Sequence, residues 1–347
     1  MYKRKLLLTI SLVGVLMGVY FVVNFYQTFF WSNTSFNNEA SYLFIDRDDN
    51  IDSLELQLHP LLKSVDRFLL AAEKKGYINR IRSGKYKLVP KMGNNDLINV
   101  LRSQKLTVSV IFNNKERLED LAIRLSEQLE PDKNLFLDSF YDSEFLKING
   151  FTKENALSMY LPNSYDVFWD VTPKDFRELM LKNYKLFWNK KRIEKAKNIG
   201  LNPIEVYILA SIVHKESIKK DEQPRIAGLY LNRLKKRMRL QADPTVIFAH
   251  KRASGDFEKQ IQRVLYKDLE LNSPYNTYKV KGLPPGPITM PDLSTIEAVL
   301  NYEKHDYIYF VASPIKPGYH LFAKSLVQHN RNKKEYIRWI NNQKIYR

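Results

Sequence analysis

The chain has 347 residues, of which 44% are hydrophobic and 27% charged, enough for two modest domains with cores of their own. It contains no cysteine, which excludes disulfides, thiol nucleophiles and cysteine-ligated zinc or iron–sulfur sites. Lysine and arginine total 55 against 38 aspartate and glutamate, a net charge of +17 that favours polyanionic partners. No dense basic cluster, helix-turn-helix or RNA-recognition pattern directs that charge toward nucleic acid.

Residues 1–5 form a short basic head, Met-Tyr-Lys-Arg-Lys. Leu6 to Val23 is an uncharged apolar run, continued to Trp31 by aromatics. About 18 such residues can cross a bilayer as a helix. Residues 6–27 are therefore expected to be a transmembrane signal anchor, with the head cytoplasmic and Phe25, Tyr26, Phe29, Phe30 and Trp31 at the interface. A cleaved signal peptide is the competing reading, but the apolar region is long and no A-x-A site follows. Either way the bulk of the chain lies outside the cytoplasm. Residues 32–40 are short and polar, and residues 28–40 are expected to be a tether.

Residues 41–106 read as a small α+β module. Tyr42–Ile45 is a strand followed by a turn at Asp46–Asn50, and Leu61–Lys75 an amphipathic helix. Gly84–Val89 alternates as a second strand, and Asn95–Ser103 carries Leu97, Ile98 and Leu101 at helical spacing. Residues 107–347 form the second domain. Val108–Phe112 is a strand, Leu118–Leu129 a helix stopped by Pro131, and residues 132–155 a helical subdomain. Tyr160–Trp169 is aromatic with turn residues in its middle, and Pro173–Lys197 is one long helix leading to Gly200, a natural C-cap. Tyr307–Val311 and Tyr319–Phe322 are paired strands, and a basic terminal helix closes the chain. This order of elements favours an α+β fold over a doubly wound sheet.

Asn202 to Ser217 is the most informative stretch. Asn202 can cap a helix, Pro203 suits its first position, and Glu205 completes a capping box. At about 100° per residue, Ile208, Leu209, Ile212 and Val213 make one apolar stripe, and Glu216 falls inside it. Desolvation there raises a carboxyl's pKa, which suits a general acid. The bland alternative, a frayed-end Glu paired with Lys219 or Lys220, stays open on the helix pattern alone.

Pro224–Leu240 reads as a further helix carrying Asn232 and Arg233. Gly228 there would let another backbone approach closely. Arg233 lies on the apolar side, so it either pairs with a carboxylate or lines a cleft. Asp243-Pro244 starts another helix. Gln241 and Thr245 can offer hydrogen bonds to sugar hydroxyls and amides, or serve only turn chemistry. Asn272–Tyr278 joins aromatic faces to amides and hydroxyls, and Gly282–Ile288 is a stiff loop with a type II turn expected at Pro285-Gly286. His214 and Glu216 form H-x-E but point about 160° apart on a helix, so they share no metal ion. No G-x-S-x-G elbow or phosphate-binding glycine loop is present. Neither cofactor nor metal is expected.

Together these stretches resemble the endolytic murein transglycosylase family (MltG-like, YceG-like). The matching segments, in the family's order, are Ala210–Ser217, Leu231–Leu234, Met238–Val246, Tyr275–Tyr278, Gly282–Ile288, Tyr309–Ala312 and His329-Asn330. Leu161–Tyr165 resembles the family's Phe-Pro-Asp-Thr-Tyr segment, and Gly84-Lys-Tyr with its neighbours resembles a LysM-like module, here residues 41–106. The family commonly has Glu-Lys-Glu where this chain has His214-Lys215-Glu216, so the catalytic acid corresponds to Glu216 and His214 is left outside the site.

The resemblance implies a lytic transglycosylase that cleaves the β-1,4 bond between N-acetylmuramic acid and N-acetylglucosamine in nascent peptidoglycan. Glu216 would act first as acid and then as base, forming 1,6-anhydro ends, with residues 107–347 as the catalytic domain. Asn232, Arg233, Gln241, Thr245, Tyr275, Asn276 and Tyr278 would contact substrate. The expected partners are glycan strands and the bacterial inner membrane, with the catalytic domain on its outer, periplasmic side and cell-wall synthases as candidate protein partners. Two rivals stay open: a hydrolytic muramidase using Glu205, Asp243 or Asp292 as second carboxylate, and a non-catalytic peptidoglycan-binding scaffold.

Overall fold

In the computed structural model, which describes residues 2–261 and 263–342, helix α1 (Tyr2–Phe29) opens the chain. It is long and apolar enough to cross a membrane, and its apolar side chains from Leu6 to Val23 are exposed. The remainder is mixed α+β and divides into two units. The first holds residues up to Val110 with Gln128–Pro131 and Tyr165–Thr172; the second holds Ile111–Glu127, Asp132–Ser164 and the chain from Pro173 onward.

In the first unit, β1 (Ser41–Ile45), α2 (Ile51–Leu58), α3 (Val65–Lys74), β2 (Gly84–Leu88) and α4 (Asn94–Ser103) follow in order. β1 and β2 pair antiparallel with Leu43 opposite Tyr86, and the inward side chains Leu43, Ile45, Tyr86 and Leu88 pack against Phe68, Leu97 and Leu101. The helix expected over 61–75 is shorter, because Ser64 caps it through the Arg67 amide. α2 has no counterpart in the sequence reading; only Leu54 and Leu58 of its eight residues are buried, too few for a visible period.

The expected tether is fixed over much of its length. Asn33 is buried, its amide donating to Ser64 O and Asn94 Oδ1 while its oxygen accepts from the Ser64 amide. Asn94 in turn donates to Thr28 O (2.7 Å). Ser32 and Thr34 bridge to Gly93 and Leu62.

Strand β3 (Thr107–Phe112) carries the chain toward the second unit, whose helices begin with α5 (Leu118–Ser126), α6 (Lys133–Phe140) and α7 (Ser143–Ile148). β4 (Asn163–Phe168) then pairs with β3. The segments that return to the first unit are held there by Asp170, a buried carboxylate bound to Lys105 Nζ and Ser83 Oγ, and by Trp169 packed edge-on to Phe44. Besides the residues expected for it, the first unit thus takes in residues 107–110 and the two later pieces 128–131 and 165–172.

The expected helix over 173–197 is two helices, α8 (Pro173–Phe187) and α9 (Lys190–Asn198). Buried Trp188 ends the first, and the Asn189 side chain caps the second. Gly200 then takes a left-handed φ of 78°. α10 (Pro203–Glu216) has the expected capping box, with reciprocal bonds between Asn202 and Glu205 of 3.0 and 2.7 Å. Every residue from Val206 to Val213 is buried, so this is a core helix rather than one with a single apolar stripe. It packs against α11 (Gln223–Lys235), α12 (Asp243–Ser254) and α13 (Leu293–Leu300). A hairpin of β5 (Tyr309–Ala312) and β6 (His320–Ala323) and the terminal α14 (Leu326–Asn342) complete the unit.

Two glycines matter to the packing. At Gly286 the expected type II turn is absent: its φ is not positive, unlike that of Gly282 (85°). Gly is needed there because a Cβ would lie 1.9 Å from Glu154 O. At Gly228 on α11 a backbone does approach closely, with Glu303 O 2.3 Å from where a Cβ would stand. Gly228→Ala should therefore displace the 303–305 segment and lower stability by about 1–3 kcal/mol. Denaturant unfolding of the full chain checks this; an unchanged midpoint would mean that the segment yields freely.

Candidate active site

Glu216 is the last residue of α10, where the buried helix meets the surface, and its side chain is half-buried. Desolvation pushes its carboxyl up to about 7, with the negative charge of Asp243 adding to the effect. The helix C-terminus, carrying partial negative charge, also disfavours a carboxylate there. Three neighbours act in the opposite sense. The hydroxyl of buried Tyr230 donates to Glu216 Oε1 at 2.6 Å, and the positive charges of His320 and Arg233 favour the ionised form. The carboxyl is thus poised so that acid and base forms are both accessible near neutral pH.

Each of these neighbours is held from behind. Tyr230 and Arg233 stand three residues apart on α11, on the same face. Arg233 donates to Ile308 O (2.7 Å) and Leu240 O (2.7 Å), so a guanidinium expected to need a carboxylate or a cleft is satisfied by backbone carbonyls. His320 on β6 donates from Nδ1 to Glu222 Oε2 (2.8 Å), and its backbone amide donates to Glu222 Oε1 (2.8 Å). Glu222 is buried and also accepts from Ser217, the residue after the acid, at 3.4 Å. Phe310 packs edge-on to both Tyr230 (6.1 Å) and His320 (4.9 Å). Asp243, at the start of α12, accepts from the Tyr278 hydroxyl at 2.6 Å, while burial and that carboxylate push the Tyr278 phenol up.

Of the residues expected to touch substrate, the structure brings Arg233 and Tyr278 into the electrostatic surroundings of Glu216. Gln241 is exposed beside Asp243, with a left-handed φ of 50° and its amide bonded to Thr277 O. The side chains of the others are committed internally. Asn232 donates to His305 O and Tyr307 O. Thr245 is fully buried against Thr277 (2.8 Å), and buried Asn276 ties down Leu269 O and Leu271 O. Tyr275 is buried against Phe248 and turns its hydroxyl toward Arg252. These four shape loops around the acid. Tyr230, Glu222 and His320 escaped the sequence reading: the i, i+3 spacing of Tyr230 to Arg233 was its only local signal, and β6 reaches the acid from a hundred residues downstream.

His214 faces elsewhere. Its Nε2 accepts from Asn114 Nδ2 (2.9 Å), Asp292 lies 4.0 Å from Nδ1, and burial lowers its pKa. Among the described residues no group of His, Asp and Glu is arranged to hold a metal ion.

The sequence profile of the YceG-like family matches residues 43–335. The chain belongs to the YceG-like family. An endolytic murein transglycosylase of Bacillus subtilis (strain 168) is 40% identical over 168 residues, 48% of this chain and 44% of that one. One from Streptococcus pneumoniae (strain R6) is 32% identical over 180 residues, 51% and 31% of the two chains. The match thus spans less than half the length of either relative. A YceG-like protein from Listeria monocytogenes, known from its crystal structure, is 27% identical with a TM-score of 0.54, covering 85% of this chain and 99% of that one.

The raised carboxyl makes a pH-dependent contribution to stability. Its favourable part is complete below the ordinary value of 4.5 and is lost as pH rises through about 7. Glu216→Gln abolishes that dependence. The stability of the variant relative to the parent should rise between pH 4.5 and about 7 and then level off, the change reaching about 3 kcal/mol. Denaturant titrations across this range measure it, and a pH-independent difference would place the carboxyl at its ordinary value.

Proposed function

We propose that this protein is an endolytic murein transglycosylase with Glu216 as its catalytic acid and base. The observation that carries the reading is a half-buried carboxyl raised to about 7 and bonded to a buried tyrosine. Protonated Glu216 gives its proton to the glycosidic oxygen as the bond between N-acetylmuramic acid and N-acetylglucosamine breaks. The carboxylate then takes the proton of the muramyl C6 hydroxyl, whose oxygen closes the 1,6-anhydro ring at C1. No water enters, so one carboxyl serves both steps. His320, Arg233 and Tyr230 stabilise the carboxylate between them. The names of the Bacillus and Streptococcus relatives support the same reaction.

In this reading α1 anchors the enzyme in the inner membrane with its catalytic unit on the outer face, where it would meet cell-wall synthases. The first unit, with its strand–helix–helix–strand order, serves as a LysM-like glycan holder.

A second reading, hydrolysis by a muramidase, is favoured by one observation, the presence of Asp243 near Glu216. The other two carboxylates considered for it are engaged elsewhere: Glu205 in the cap at the far end of α10, and Asp292 beside His214.

Product analysis separates the two. The full chain in detergent, incubated with isolated glycan strands, should leave 1,6-anhydro ends by mass spectrometry; reducing ends would establish the muramidase. Glu216→Gln should lower turnover at least ~100-fold while the protein stays folded. Wild-type turnover in that variant would remove Glu216 from the mechanism.

A further inference from the structure

Two adjoining cavities lie along α12. The first, of about 170 Å³, is lined by Lys215, Glu116, Pro244, Ile247, Phe248 and Lys251 among others. The second, of about 280 Å³, shares Glu116 and Phe248 and continues to Arg252, Tyr275, Lys153 and Glu154. Lys215 and Pro244, which line the first cavity, stand next in sequence to Glu216 and Asp243.

The charges in the groove are not neutralised from within. Glu116 alone binds both Lys215 Nζ (2.8 Å) and Lys251 Nζ (3.0 Å), and those two lysines hold its carboxyl below the usual range despite its burial. Glu119 accepts from the Tyr141 hydroxyl. Arg252 stacks over Tyr275, 5.0 Å from its ring centre, and donates to its hydroxyl; Lys153 lies over Tyr141 at 5.0 Å. Neither cation is ion-paired among the described residues. Glu154 faces the same cavity. Aromatic walls with two free cations and one free carboxylate suit a small zwitterionic chain end. At about 280 Å³, close to the lower limit of ligand pockets, this second cavity has room for the end of a chain and not for a glycan segment.

We propose that this groove binds the stem peptide of the muramic acid being cleaved, with the peptide's terminal carboxylate on Arg252 and Lys153. The inference rests on the transglycosylase reading. The stem peptide leaves the sugar through the lactyl ether at C3 of the ring whose C1 bond breaks, so it must depart beside the acid. From Pro244 to Arg252, α12 rises about 12 Å. Four peptide residues, extended, reach about 13–14 Å. A peptide starting beside Asp243 therefore ends at Arg252, and a diamino-acid ammonium near its end meets Glu154.

The probe is soluble L-Ala-γ-D-Glu-L-Lys-D-Ala, four residues long, titrated calorimetrically into the full chain in detergent. Saturable binding is expected. Arg252→Gln and Lys153→Gln, both at exposed positions that leave folding intact, should each weaken it about tenfold or more. The same peptide amidated at its C-terminus should bind the parent protein correspondingly less well and Arg252→Gln no less well than the free acid. Absence of binding up to about millimolar peptide, or equal affinity in parent and variants, overturns the proposal. Cleavage of peptide-free strands, followed separately, distinguishes the failures. Strands cut without peptide binding remove the groove and keep the transglycosylase; peptide binding without cleavage of any strand keeps the groove as a peptide site and removes the reaction.

Discussion

The desolvation of one carboxyl group governs how the second unit is built. α10 is buried on all sides from Val206 to Val213 and surfaces only in its last turn, so Glu216 inherits a low-dielectric setting at the negative end of a helix. Left alone, such a carboxyl would stay neutral. Opposing charges and the Tyr230 hydroxyl bring the ionised form back within reach, and none of them depends on solvent for its own orientation. Arg233 is clamped by two main-chain carbonyls and His320 by a buried carboxylate. Dipoles and charges fixed in advance in this way need no reorganisation when a proton moves.

The polar residues that surround the acid in sequence divide along the same line. Asn232, Thr245 and Asn276 belong to the stretches that carry the family resemblance, yet their side chains bind backbone or one another. Asn232 draws residues 305–307 onto α11, Thr245 draws Thr277 onto α12, and Asn276 ties residues 269–271 to the turn that follows them. A buried amide or hydroxyl with its partners satisfied specifies a loop more sharply than an apolar contact, because any other arrangement leaves polar groups unpaired. The side chains of these three residues therefore encode the shape of the loops around Glu216.

Much of this was legible in the sequence. The capping box at Asn202 and Glu205 was visible because its two residues lie within one turn of each other; the small residue type at Gly228 signalled a close approach, although the carbonyl that makes it comes from Glu303, far along the chain. The break between α8 and α9 was hidden: the apolar period runs on through Trp188, and the Asn189 cap competes with continued helix only once Trp188 is packed. The role of Gly286 looked like turn chemistry and is instead steric, imposed by Glu154 from more than a hundred residues upstream. Glu222 and His320 were invisible for the same reason, since their pairing exists only after β6 folds back toward α11.

Asn33 has a mechanical consequence for the first unit. By binding Ser64 and Asn94 within a few residues of the end of α1, it removes the slack that a soluble domain on a leash would enjoy. Thr28 O, still inside α1, is bonded to the same Asn94. With α1 embedded in a bilayer, this unit cannot sweep a hemisphere of solvent; its height above the lipid is set by the joint, and it explores by sliding and spinning with its helix. If this unit holds glycan as proposed, a search confined to such a plane would reach only strands at one fixed distance from the membrane surface.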